Sequence, residues 1–118
     1  MDIKQIMEQQ AIQDETNGFP VKFTSSIAKY DQLTKDLVGL FGEIGEFSNI
    51  IKKINIKLAN PDKYELELDV AEKLLREELI DSFIYIIRIA AIINVDLEEE
   101  TIKKMQLNAN RYASLSNK

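Results

Sequence analysis

Apolar residues at Leu37, Leu40, Phe41, Ile44, Phe47, Ile51 and Ile54 recur at spacings of three and four, the mark of a helix that buries one stripe. The pattern predicts a long helix over about residues 27–58, with Thr24, Ser25 and Ser26 supplying oxygens to cap its start. Ahead of it, residues 2–14 carry a weaker pattern with Ile3, Ile6 and Met7 on one side, so a first helix with a thin apolar face is expected, closed by the turn Asn17-Gly18-Phe19-Pro20. Asn60-Pro61-Asp62 interrupts the second helix, since proline disfavours helical geometry in the residue before it. A third helix is expected from near Tyr64 to about Ile93. Its isoleucine-rich end, residues 83–93, has the composition of a buried strand, but no glycine or proline lies between Pro61 and Val95 to stop the helix formers that precede it. Asp96 followed by Glu99 resembles a capping box and opens a fourth helix to about Tyr112. The polar tail, residues 113–118, is expected to fray. The pattern therefore predicts an all-α, four-helix-bundle-like fold in a single domain over residues 1–118. Apolar side chains point all round the third helix between Leu79 and Ile93, more than the three other helices of one short chain, the first of them weak, readily cover, so a homo-oligomer is expected, a homodimer or homotetramer with this helix at the interface.

Composition narrows the chemistry. The 118 residues contain neither cysteine nor histidine, which excludes disulfides, thiolate nucleophiles, serine-histidine triads, His-ligated zinc and the ferritin-like di-iron motif. A cysteine-free chain suits a reducing, cytoplasmic setting. With 15 basic and 20 acidic side chains the net charge is −5, a poor match for nucleic acid. Residues 1–16 carry charged or amide residues every few positions, unlike a signal peptide. The most apolar stretch, residues 79–95, is interrupted by Asp81, Ser82, Arg88 and Asn94 and falls short of the ~20 apolar residues of a membrane span.

The charged residues fall into two sets. Glu72 and Arg76, Glu99 and Lys103, and Glu100 and Lys104 stand four apart in the acid-first order of solvated helix faces. Glu43, Glu46, Glu78 and Asp81 have no lysine or arginine three or four positions away. Two carboxylates three apart lie about 60° round a helix from each other and repel. If antiparallel packing brings the pairs Glu43/Glu46 and Glu78/Asp81 together, each like-charged contact at about 5 Å costs roughly 3 kcal/mol at an effective dielectric of about 20. Such a site calls for a cation, and oxygen-only donors favour a hard one, magnesium first with manganese as a substitute. Either pair alone reads more readily as a solvated face than as a metal site; two such pairs on two long helices are what point to a site. Three of the four glycines, Gly39, Gly42 and Gly45, fall in the second helix, where each costs roughly 1 kcal/mol relative to alanine. Gly39 and Gly42 flank the side bearing Glu43 and Glu46, so a ligand or a facing chain is expected to come close there.

These residues carry a resemblance. Gly42-Glu43-Ile44-Gly45-Glu46-Phe47, followed by Glu77-Glu78-Leu79-Ile80-Asp81 and the segment 83–90, resembles the ExxE and ExxD signature of the MazG-like nucleoside triphosphate pyrophosphohydrolases of the all-α NTP pyrophosphatase superfamily. Asn94 to Glu99, then Lys104, Asn108, Arg111 and Tyr112, are similar to that family's last helix, and the resemblance spans roughly residues 37–112. It implies Glu43, Glu46, Glu78 and Asp81 as magnesium ligands, Lys104 and Asn108 as triphosphate contacts, and hydrolysis of a nucleoside triphosphate between the α and β phosphates. A carboxylate of the cluster, Glu46 or its neighbour Glu43, is the candidate general base. Two departures stand out: 32 positions separate Glu46 from Glu78, on the long side for the family, and Ile80 replaces a frequently small residue.

Further candidates have plainer readings beside them. Tyr85 and Arg88 share the stripe of Asp81 and are within reach of a bound nucleotide, while Arg88 is better read as the partner of Glu77 or of an acid on another helix. Arg111 falls in the family's last-helix pattern. Lys53, with Lys52 and Lys57, is a candidate for drawing in a polyphosphate, although basic residues also suit a helix C-terminus through its dipole. Phe19, Phe23 and Tyr30 are able to stack on a base or to cover the open end of the bundle. The competing functions are a phosphoribosyl-ATP pyrophosphohydrolase-like enzyme and a non-catalytic helical oligomerisation module.

Overall fold

The computed structural model describes residues 1–115, and four α-helices account for most of them: α1 (Ile3–Thr16), α2 (Ser26–Ala59), α3 (Leu68–Ile92) and α4 (Leu97–Tyr112), followed by one 3-10 turn (Ala113–Leu115). The expected all-α architecture is what forms. That turn occupies the start of the tail expected to fray, and the remainder of the tail, residues 116–118, lies outside the described residues.

Each helix boundary has a local cause. Ser25 caps α2 by accepting from the Ala28 amide, and Asp96 caps α4 by accepting from the Glu99 amide at 3.0 Å. The reciprocal half of the box expected there does not form among the described residues; Glu99 instead pairs with Lys103 at 3.1 Å. The full box forms where it was not foreseen, on α1, between Asp2 and Gln5. Of the other four-apart pairs, neither Glu72–Arg76 nor Glu100–Lys104 closes to ion-pair distance among the described residues, and Lys103 reaches Glu100 at 3.7 Å. The third helix begins at Leu68 rather than near Tyr64. The cause is Lys57, whose ammonium donates to the carbonyls of Pro61 and Tyr64 at 2.7 and 2.8 Å and holds the connection in a turn beyond the proline.

Two helices end in the same way. Gly18 (φ 84°) and Asn94 (φ 59°) take the left-handed conformation just after α1 and α3. Phe19 N–H then returns to Asp14 O at 2.7 Å and Val95 N–H to Ala90 O at 2.8 Å, the long bond of a Schellman cap. Glycine and asparagine are the residues that tolerate this geometry.

α2 and α3 form an antiparallel hairpin, with Asp36 opposite Arg88, Gly39 opposite Tyr85 and Glu43 and Glu46 beside Glu78. α1 lies against α3, and α4 packs chiefly on α1. The buried apolar set is small: Val21, Ala71, Ile87, Ala90 and Ile92. α2 and α1 each bury a single residue, and in both it is an aspartate, Asp36 and Asp14. Large apolar side chains stay exposed on α2 (Val38, Phe41), α3 (Leu79, Ile80) and α4 (Ile102, Met105). The radius of gyration is 18.7 Å, against about 13–14 Å expected for a compact chain of this length. Among the described residues, no helix is long and apolar enough to cross a membrane.

Candidate metal centre and cleft

The hairpin register decides which acids meet. Glu43 and Glu46 stand nearly one turn apart on α2, and the antiparallel partner presents Glu78 to both. One carboxylate oxygen from each lies within 4.8 Å of the others. Glu43 and Glu78 are half-buried, and Glu46 is exposed. Crowding has an electrostatic consequence: close approach of the Glu43 carboxylate, with which a proton can be shared, desolvation, and then the approach of Glu46 push Glu78 up to about 8 from its ordinary 4.5. Among the described residues Glu78 Oε2 is buried without a hydrogen-bond partner. An orphaned buried acceptor facing two further carboxylates is the donor set of a hard divalent cation. Oxygens opposite one another round a magnesium ion lie about 4.2 Å apart for bonds of about 2.1 Å, the same scale as the 4.8 Å within which the three carboxylate oxygens lie.

Asp81 stands outside this trio. Exposed, nearly one turn after Glu78, it lines with Glu43 one end of a cleft of about 680 Å³ between α2 and α3. Tyr85 lies along its wall, and the other end is closed by Asp36, Arg88 and Phe19.

That closed end is a second charged cluster. Arg88 is buried and pairs with Asp14 at 3.0 Å and Asp36 at 2.9 Å, and it also donates to the carbonyls of Phe19 and Pro20 at 3.2 and 3.3 Å. The Schellman turn at Gly18 is what carries these two carbonyls back over α3. Burial alone lowers the Arg88 pKa, but hydrogen bonds to Asp36 and Asp14 outweigh it and hold the guanidinium above its ordinary value. Gln10 and Gln32 each donate to the aspartate one turn further on, at 2.9 and 3.2 Å. Arg88 thus finds acids on other helices, as expected, rather than Glu77.

Sequence reasoning missed Asp14 and Asp36, although the test that singled out the four acids fits them too: neither has a lysine or arginine three or four positions away. The remaining candidates lie elsewhere in the chain. Lys53 borders an apolar depression with Ile50, Leu66 and Val70. Lys104 and Asn108 line a shallow groove along α4. Arg111 lies over the Tyr112 ring at 5.2 Å. None of these four lines the cleft that holds Glu43 and Asp81.

Comparison with known proteins adds a relationship. The chain is similar to dCTP pyrophosphatase 1 of Rattus norvegicus and of Mus musculus, at 34% identity over 76 residues in each case, covering 64% of this chain and 43% of the relative. This similarity supports the MazG-like resemblance. The chain spans less than half the length of these relatives. No family model matches the chain, and no solved structure matches it at the stringency the two relatives meet.

Proposed function

We propose that this protein is a metal-dependent nucleoside triphosphate pyrophosphohydrolase, releasing pyrophosphate and a nucleoside monophosphate. The observation that carries the reading is the convergence of Glu43, Glu46 and Glu78 from two helices, with no ion pair to a basic residue and with Glu78 Oε2 orphaned among the described residues. Magnesium is the ion we assign, with manganese as a substitute, held by Glu43, Glu46 and Glu78 and extended toward the cleft by Asp81. The chemistry such an ion supplies when bound is neutralisation of phosphate charge and acidification of a water.

The residues contribute the rest. Glu46, the exposed member of the trio, accepts at a carboxylate oxygen the proton of the water that attacks the α-phosphorus, with Glu43 as its neighbour in that role. The bond between the α-phosphorus and the bridging oxygen breaks, and pyrophosphate leaves from the acid end. The nucleoside half lies along the cleft past Tyr85. dCTP is the first nucleotide to test, because it is named in both relatives.

Lys104, Asn108 and Arg111 sit on α4, which buries no residue, and Lys53 borders a separate depression with Ile50 and Val70. We infer that the chain works as a homodimer or homotetramer. The support is the exposed surface of 9056 Å², against about 6,600 Å² for a folded monomer of this mass, together with uncovered Leu79, Ile80, Val38 and Phe41. Light scattering after gel filtration should return a multiple of 13.6 kDa. A cysteine-free chain acting on nucleotides fits the cytoplasm.

The test is a nucleotide panel with magnesium, including dCTP and phosphoribosyl-ATP, read by product identity. At least one nucleotide should yield pyrophosphate and monophosphate, with Glu46→Ala or Asp81→Ala lowering turnover by about a hundredfold or more. Release from none of them would defeat the assignment.

A further inference from the structure

Gly39 lies on α2 one turn before Glu43, on the stripe that faces α3. A β-carbon built there meets the far end of the Tyr85 ring, with Cζ, Cε1 and the hydroxyl oxygen as its nearest neighbours. At Gly42 and Gly45 the same carbon meets nothing within 4 Å. All three glycines weaken the helix by roughly 1 kcal/mol relative to alanine, yet only at Gly39 does the missing side chain make room for another group.

The group it accommodates stands at a decisive place. Tyr85 lines the cleft between the acid end, Glu43 and Asp81, and the closed end at Asp36 and Arg88. With its ring tip sunk against the α2 backbone, the ring forms part of the wall instead of projecting from it. A methyl group at position 39 meets the tip of a side chain with two rotatable bonds, not a packed backbone. The cheapest response is for the ring to lift toward the cleft while the helices stay in place.

We propose that Gly39 is a positioning residue for substrate: its missing side chain recesses Tyr85 into α2 and keeps the cleft open, beside the acid cluster, for the nucleoside half of a nucleotide. This rests on the pyrophosphohydrolase reading above. It separates two parts of the site, because a ligand that engages only the acids has no need of the recess.

Gly39→Ala tests it, with kinetics on the preferred nucleotide of the panel and inhibition by inorganic tripolyphosphate as the probe of the acid end. KM for the nucleotide should rise about tenfold, with kcat and the tripolyphosphate inhibition constant holding within about twofold. Tm should be unchanged or higher, since alanine favours the helix. In a Tyr85→Leu background, where no ring tip remains, adding Gly39→Ala should raise KM no further. An unchanged KM, a parallel rise in KM and the inhibition constant, or an equal rise in the Tyr85→Leu background overturns the proposal. A wild type that hydrolyses no nucleotide overturns the functional reading and this inference with it, whereas an active wild type with an unaffected Gly39→Ala variant overturns the recess alone. Independently of how that variant folds, the Gly39 α-protons of the wild type should show an upfield ring-current shift that Tyr85→Leu abolishes. Its absence in the wild type overturns the packing on which the proposal stands.

Discussion

Two clusters of acids share the α2–α3 hairpin, about 10 Å apart along α2 by helical rise. At one, Asp14 and Asp36 close on Arg88 at 3.0 and 2.9 Å, with the Phe19 and Pro20 carbonyls taking up further donors. At the other, Glu43, Glu46 and Glu78 close on one another, and among the described residues none of the three forms an ion pair with a lysine or arginine. The first cluster carries its own cation and is buried; it fastens α1 and the turn after it onto the hairpin. The second is half-open and lacks a counter-charge, and Glu78 responds by holding its proton up to about pH 8. Like charges that a fold gathers but does not neutralise point to a ligand, whereas the same charges neutralised from within point to structure.

The contrast can be broken most forcefully at Arg88. Arg88→Met leaves two buried carboxylates facing each other and should cost about 3–5 kcal/mol by urea unfolding; a cost below about 1 kcal/mol would show that the cluster does not hold α1 in place. Next is the response to metal. At magnesium concentrations about 100 times the dissociation constant the wild type should gain about 2.7 kcal/mol, seen as a rise in Tm. Glu78→Gln should lose most of that gain, and a wild type indifferent to magnesium and manganese would place the acid trio among solvated helix faces.

The subtlest contrast is with pH. A carboxyl whose folded pKa lies above its unfolded value stabilises the fold below the unfolded pKa and loses that contribution as pH rises through the folded one. For Glu78 the window runs from about 4.5 to about 8. The Tm of the metal-free protein should therefore fall across that interval, and Glu78→Gln should flatten the decline. Magnesium should flatten it too, with protons released on binding. A metal-free Tm that rises from pH 5 to 8 would contradict the crowding.

How much of this could be read from residue order depends on the range of the interaction. The α2 stripe at Leu37, Leu40 and Phe41 and the stop at Pro61 are local, so the helix was visible. The start of α3 was not, because Lys57 reaches across the turn to the Pro61 and Tyr64 carbonyls, a bond that no propensity encodes. Glu43, Glu46 and Glu78 stood out through the lack of basic neighbours one turn away. Asp14 and Asp36 share that lack and went unnoticed, since their partner lies 74 and 52 positions away in sequence. Spacing on a single helix cannot distinguish an acid answered from a distant element from one left unanswered. Gly39 had a visible cost but no visible use until the Tyr85 ring was seen to lie against it.

Sequence by itself determined the four helices, the all-α class and the set of acids without local counter-charges, because helix formation, capping and neighbour electrostatics act within one or two turns. Only the tertiary structure decided which acids meet each other and which meet Arg88, that Asp81 lines the cleft outside the Glu43–Glu46–Glu78 trio, and that Tyr85 rests in the space left by Gly39. Those outcomes depend on the register of α3 against α2 and on the turn at Gly18. Both are fixed by contacts between residues far apart in the chain, whose charges and shapes become comparable only once the chain has folded back on itself.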